Sequence, residues 1–93
     1  MKTLLTAIIA AATIVAAAPV HAGPVCYTEG RYAALVTQGR DIGMPEQEAH
    51  DTAKDKSALI AMIYHDAQLK NFSPSDTQLI VQNQCVKKHG ANW

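Results

Sequence analysis

The sequence predicts an all-α domain of three helices running up, down and up, the middle one long, tied by one disulfide. Three observations carry this. After Pro45 no Gly or Pro interrupts the chain up to Lys70, and Ala49, Thr52, Ala53, Lys56, Leu59, Ile60, Ile63 and Ala67 keep one helical phase. Ser73, Pro74 and Asp76 spell a helix start: a cap, a first-turn proline and the third position of a capping box. Cys26 and Cys85 are an even pair placed far apart.

Met1 to Ala22 reads as a secretory signal peptide. Lys2 supplies the positive start, Leu4 to Ala18 an uncharged run, and Val20-His21-Ala22 the approach to a cut after Ala22. The rival reading is a membrane anchor, but the run is about 15 residues against the roughly 20 needed to span a bilayer. Residues 23–93 are then a single small domain in the periplasm or outside the cell, with no membrane segment after cleavage. A chain of this size buries only about 60% of its unfolded surface and needs a staple. In an oxidising compartment Cys26 and Cys85 supply it. A loop of about 60 residues closed in this way is worth roughly 4 kcal/mol in the chain-entropy model. Lys and Arg balance Asp and Glu, eight against eight. No basic stripe offers itself to nucleic acid, and no acidic tail to a basic partner.

The first helix is expected from Cys26 or Tyr27 to Arg40. Cys26, Gly30, Ala33 and Thr37 make one face of small residues, and Gly43 is the stop, with Arg40 suited to the negative end of the dipole. If this small face turns inward, Leu35 and Ile42 point outward with Tyr32 beside them, as a homodimer or partner patch. Rotated the other way, the helix buries Leu35 instead, and the sequence leaves both rotations open.

The long helix opens with Pro45 at its first position, Glu46 and Glu48 near its positive end, and Met44 as a poor cap. It is either continuous or bent near Lys56–Ser57. Its first half has a thin stripe of Ala and Thr, while Ala58 to Ala67 is far more apolar. The last helix is expected from Pro74 to about Lys88, with Leu79, Gln82, Cys85 and Val86 inward, Ile80 and Val81 at the flank and Phe72 stapled near Thr77 or Ile80. Gly90 ends it, and Ala91-Asn92-Trp93 is expected to be loose. Counting outward from turns at Gly43 and Phe72, at equal rise per residue, sets both cysteines beside Leu59 and Ile60.

Cys26, Arg40-Asp41-Ile42-Gly43, Tyr64, Ser73-Pro74 and Cys85 together resemble a recurrent type of small, exported, uncharacterised bacterial helical protein. That type has an early cysteine, an Arg-Asp-x-Gly turn, a helix ending near a tyrosine, a Ser-Pro helix start and a late cysteine. The resemblance spans nearly the whole chain after the leader. It implies a helical periplasmic protein and brings no known activity. Met44 departs from the capping Ser or Thr expected at its position.

Candidate chemistry is thin. His50 and His65 fall about four turns apart on one rod, too far to share an ion, and no metal or other cofactor is expected. Asp66 reads as an edge carboxylate paired with Lys70, or as a half-buried one meeting an arginine from another helix. Arg40-Asp41 is explained by a turn, and Tyr27, Tyr32 and Tyr64 by packing with wet hydroxyls. Asn83 and Gln84 read as solvated amides. No Ser-His-Asp set, Cys-His pair or phosphate loop is visible, so no enzyme is expected. The expectation is a periplasmic interaction or accessory module, binding another protein or itself. The alternative is a stress chaperone, similar in class to small helical acid-stress chaperones, because His50, His65 and His89 gain charge as pH falls.

Overall fold

The computed structural model describes residues 21–93. The leader expected over Met1 to Ala22 therefore lies, but for its last two residues, outside the described residues. Among the described residues there are four α-helices, two 3₁₀ turns and no strand. They are α1 (Pro24–Asp41), α2 (Glu46–Thr52), α3 (Ser57–His65) and α4 (Pro74–His89), with 3₁₀ turns at Lys54–Lys56 and Leu69–Asn71. None of these helices is long and apolar enough to cross a membrane.

All-α architecture and the Cys26–Cys85 disulfide match the sequence, and the two Cα atoms lie 5.4 Å apart. The three-helix layout gives way to four helices, because the stretch 45–70 is not one rod. Ala53 leaves the helical region (φ −135°, ψ 74°) and Asp66 is extended (ψ 119°). Pro45 caps α2 instead of starting it. No breaker residue forces the break; packing does. A straight helix over 45–70 would be about 39 Å long beside an α1 of about 27 Å, and its overhang would bury nothing. Folded back at Ala53, the chain brings Ala49 of α2 and Ile60 of α3 into buried positions together. The Glu46–His65 ion pair joins the start of α2 to the end of α3, so these two helices form an antiparallel hairpin.

The main packing is between α1 and α4. They run antiparallel: Cys26 near the start of α1 is bonded to Cys85 near the end of α4, and Gly30 meets Gln78 and Gln82. A Cβ on Gly30 would stand 2.9 Å from the Gln78 carbonyl oxygen, so this approach requires glycine. The small face of α1 is buried as expected: Cys26, Gly30, Ala33 and Thr37, joined by Ala34 and Gly39. On α4 the buried set is Thr77, Val81 and Gln82, while Leu79, Cys85 and Val86 are half-buried. The face is turned from expectation because α4 is embraced by α1 on one side and approached by α3 on the other.

Ala33, Ile63, Leu69 and Val81 form the core, with Val36, Leu59, Met62, Phe72 and Ile80 packed around it. The α4 start is as written in the sequence: the Asp76 amide donates to Ser73 Oγ (3.1 Å), and the Ser73 amide to the Asp76 carboxylate (3.4 Å). Gly43 and Gly90 take positive φ at their turns. The tail is not loose. The Trp93 backbone oxygen accepts from the amides of Val25 (2.7 Å) and Cys26 (3.4 Å), two of the orphan donors at the start of α1. The Trp93 ring stacks on His89.

Ile63 is fully buried at the centre of this core. Ile63→Ala is expected to cost roughly 2–5 kcal/mol in urea unfolding, whereas the exposed Lys70→Ala should cost less than about 0.5 kcal/mol. Equal midpoints for the two variants would contradict this core.

Candidate functional site

Two groups of side chains stand out, one electrostatic and one apolar, and both involve the α2–α3 hairpin. The first centres on Arg40. The sequence accounts for it as a helix-end cation; in the fold its side chain is only 14% exposed and spans four segments. Nη1 donates to the carbonyls of Leu69 (2.9 Å) and Ile63 (3.3 Å), and Nη2 to that of Phe72 (3.1 Å). Asp41 accepts from Nε and Nη2 and so fixes the plane of the guanidinium. Nearby, the Tyr64 hydroxyl donates to the Met44 carbonyl at 2.7 Å, so it is a tie between α3 and the α1–α2 turn and not a wet end. Its partial burial raises its pKa, with the Glu46 charge adding to the rise.

Asp66 pairs neither with Lys70 nor with an arginine. The end of α3 at His65 removes the helical spacing to Lys70, and its carboxylate caps the Gln68 amide at 2.8 Å. An arginine does arrive at this segment, but on its backbone carbonyls.

Glu46 is bracketed by both imidazoles. His50 Nε2 lies 3.0 Å from one carboxylate oxygen and His65 Nε2 2.6 Å from the other. The expectation that these histidines stand too far apart is overturned, because the break at Ala53 folds α3 back against α2. An ionised carboxylate only accepts, so each Nε2 carries a hydrogen. The hydrogen bond from His50 holds Glu46 below its ordinary range, partial desolvation works against this, and the His65 charge adds to the lowering. No group of three or more ligating side chains among the described residues could hold a metal ion.

The apolar group lies on the outside of α1. Leu35 is 55% and Ile42 83% exposed, so α1 takes the rotation that turns its small face inward. Tyr32 is half-buried, with the Lys56 ammonium 4.9 Å from its ring centroid. Lys56 is also paired with Glu29, and that hydrogen bond raises its pKa. Tyr32 and Leu35 line an apolar cleft of about 220 Å³ closed by Val36, Met44, Ala49 and Ile60. Ile42 stands apart from the cleft, just past the end of α1. Sequence reasoning placed Tyr32, Leu35 and Ile42 but missed Val36, Met44 and Ile60, because only the folded-back hairpin sets α2 and α3 against α1 to make a wall. Tyr27 is exposed, as is Gln84. No protein-family model, curated protein or solved structure matches this chain.

Two outcomes test this geometry. Arg40→Lys keeps the charge but loses the fork that reaches three carbonyls, and should lower stability by roughly 1–3 kcal/mol in urea unfolding. An unchanged midpoint would show that water satisfies those carbonyls equally well. For Glu46 the folded pKa lies below the ordinary 4.5. Its contribution is therefore present above the unfolded pKa and is lost as pH falls through the folded value. Melting temperature should drop through this acid range, and the Glu46→Gln chain should lack that part of the drop.

Proposed function

We propose that this chain is an exported small helical accessory protein that acts by binding another protein through the outer face of α1. The observation that carries the reading is the exposure of Leu35 and Ile42, with Tyr32 and Leu35 lining an apolar cleft. Single exposed apolar side chains mean little, but a stripe beside a cleft marks a contact surface. Export is supported by the leader-like pattern of residues 1–22, and a disulfide is compatible with an oxidising compartment. The single small domain over residues 23–93, the periplasmic or secreted destination and the likeness in pattern to small exported bacterial helical proteins belong to the same proposal. Binding, rather than catalysis or cofactor chemistry, is its activity, and the partner is another periplasmic protein or a second copy of the chain.

A second reading, an acid-stress chaperone, is favoured by one observation. The carboxylate bracketed by His50 and His65 ties together the α2–α3 hairpin that walls the cleft. Protonating Glu46 takes from both imidazoles the carboxylate that holds them, which loosens the wall and exposes apolar surface. Suppression of client aggregation at acid pH, and not at neutral pH, separates this reading from the first.

Leu35→Glu is the direct test of the patch. The position is exposed, so the variant should fold with a melting temperature close to that of the parent. Crosslinking in the periplasm followed by partner identification should then lose the partner, or sedimentation the dimer. Unchanged partners and oligomeric state would remove the patch from consideration.

A further inference from the structure

The outer side of α1 carries both a projection and a hollow. Ile42 is the most exposed of the large apolar side chains described. The hollow is the cleft of about 220 Å³ bounded on α1 by Tyr32, Leu35 and Val36, with room for one such side chain. Ile42 does not reach the cleft of its own chain. It lies about eight residues further along the helix than the centre of those three positions, roughly 12 Å, and about 75° round the helix from it. A two-fold axis perpendicular to α1, placed between Leu35 and Ile42, exchanges the two places. It carries each Ile42 to the mouth of the other copy's cleft, and the contact closes after two copies.

Charge agrees with this antiparallel arrangement. Arg31 lies on the same exposed face, one turn before Leu35, and takes part in no ion pair among the described residues. The acids of α1 and α4 are engaged elsewhere: Glu29 by Lys56, Asp41 by Arg40 and Asp76 by the Ser73 amide. The Trp93 backbone oxygen sits on the amides of Val25 and Cys26, at the start of the helix. The two-fold sets Arg31 across from the other copy's turn into α2. There Glu46 is taken by His50 and His65, whereas Glu48 is exposed and in no ion pair. Its charge acts on Tyr64, whose hydroxyl is bonded to the Met44 carbonyl of that turn. A parallel pair of helices would instead set Arg31 against Arg31.

We propose that the partner of this face is a second copy of the chain, in a two-fold dimer with α1 antiparallel to α1. Each Ile42 enters the other copy's cleft, and each Arg31 meets the other's Glu48. The proposal rests on the reading of the outer face of α1 as a contact surface and names its occupant.

Sedimentation of the oxidised chain over a concentration series tests it. The parent is expected to pass from monomer to dimer as concentration rises. Ile42→Ser removes the projection, and Thr52→Phe, at an exposed position on the cleft wall, fills the hollow. Each should keep the parent's melting temperature and raise the dimer dissociation constant at least about tenfold. Mixed together, the two variants should associate more tightly than either alone, because one of the two Ile42–cleft contacts survives. Arg31→Glu should weaken the dimer, and adding Glu48→Arg to it should restore the affinity. A parent still monomeric at about 1 mM, or a dimer unmoved by Ile42→Ser and Thr52→Phe, would overturn the proposal. A mixture no tighter than its parts would overturn the reciprocal fit, and an unaltered Arg31→Glu dimer the antiparallel register. If the parent is monomeric yet Leu35→Glu loses a periplasmic partner, the second copy falls and the contact surface stands. If the parent is monomeric and Leu35→Glu loses no partner, both fall.

Discussion

The guanidinium of Arg40 is the point on which this fold turns. A helix end leaves carbonyls without partners, and a short connection between two helices leaves more. Here the end of α3, the 3₁₀ turn and the approach to α4 all bring such oxygens to one place. Arg40 donates to one from each, at Ile63, Leu69 and Phe72, the Leu69 oxygen also accepting from the Phe72 amide. A lysine has the charge but not the planar fork, and a neutral side chain has neither. Because Arg40 sits in the last turn of α1, this single group fixes where α3 must stop and where α4 must begin relative to α1. The bond from Tyr64 to Met44 does the same for the turn into α2.

The far end of the molecule is closed by a different device. Gly30 lets α4 approach α1 until a Cβ no longer fits, and the Cys26–Cys85 bond holds the pair there. The Trp93 oxygen then covers the free amides at the start of α1. Between the two closures Glu46 ties α2 to α3 through His65, and the hairpin is attached to α1 by the pair of Lys56 with Glu29 and the burial of Ala49 and Ile60. A short helix of seven residues has little intrinsic stability. α2 is therefore the part of the hairpin most open to local unfolding, and it forms a wall of the apolar cleft.

Local signals were legible in the residues where the physics is local. Ser73, Pro74 and Asp76 encode their helix start within four positions, and Gly43 and Gly90 mark their turns. The disulfide was legible from the even number of cysteines read beside the leader-like pattern of residues 1–22, although the antiparallel register that permits it was not the one counted from a straight rod. The sequence allowed a bend near Lys56–Ser57, and α3 does begin at Ser57; what it hid was that the helix already ends before Ala53 and folds back as a hairpin. Residues 46–65 keep one helical phase on both sides of it, so periodicity is the same for a rod and for a hairpin. Only the length of α1 decides between them, and that is a tertiary constraint. The convergence of His50 and His65 and the cleft wall from Met44 and Ile60 follow from the break at Ala53, and the role of Arg40 follows from the second one, at Asp66. No pattern within the stretch itself could reveal them.

The same constraint explains why apolar side chains remain outside. Burying a leucine or isoleucine contributes about 1.5–3 kcal/mol, so an ordinary amphipathic helix turns such residues inward. In α1 the inner face must be small for α4 to come as close as it does, and that face is taken by Gly30, Ala33, Ala34 and Thr37. Leu35 and Ile42 cannot exchange places with them, since a rotation that buried Leu35 would drive its side chain into the space now filled by the α4 backbone. Close approach supplies dense packing and a disulfide of the right reach. It also commits the larger apolar residues of α1 to the surface, whatever comes to cover them. The exposed stripe is thus a consequence of how the core closes, and a partner that covers it recovers burial that the isolated chain has no geometry to obtain.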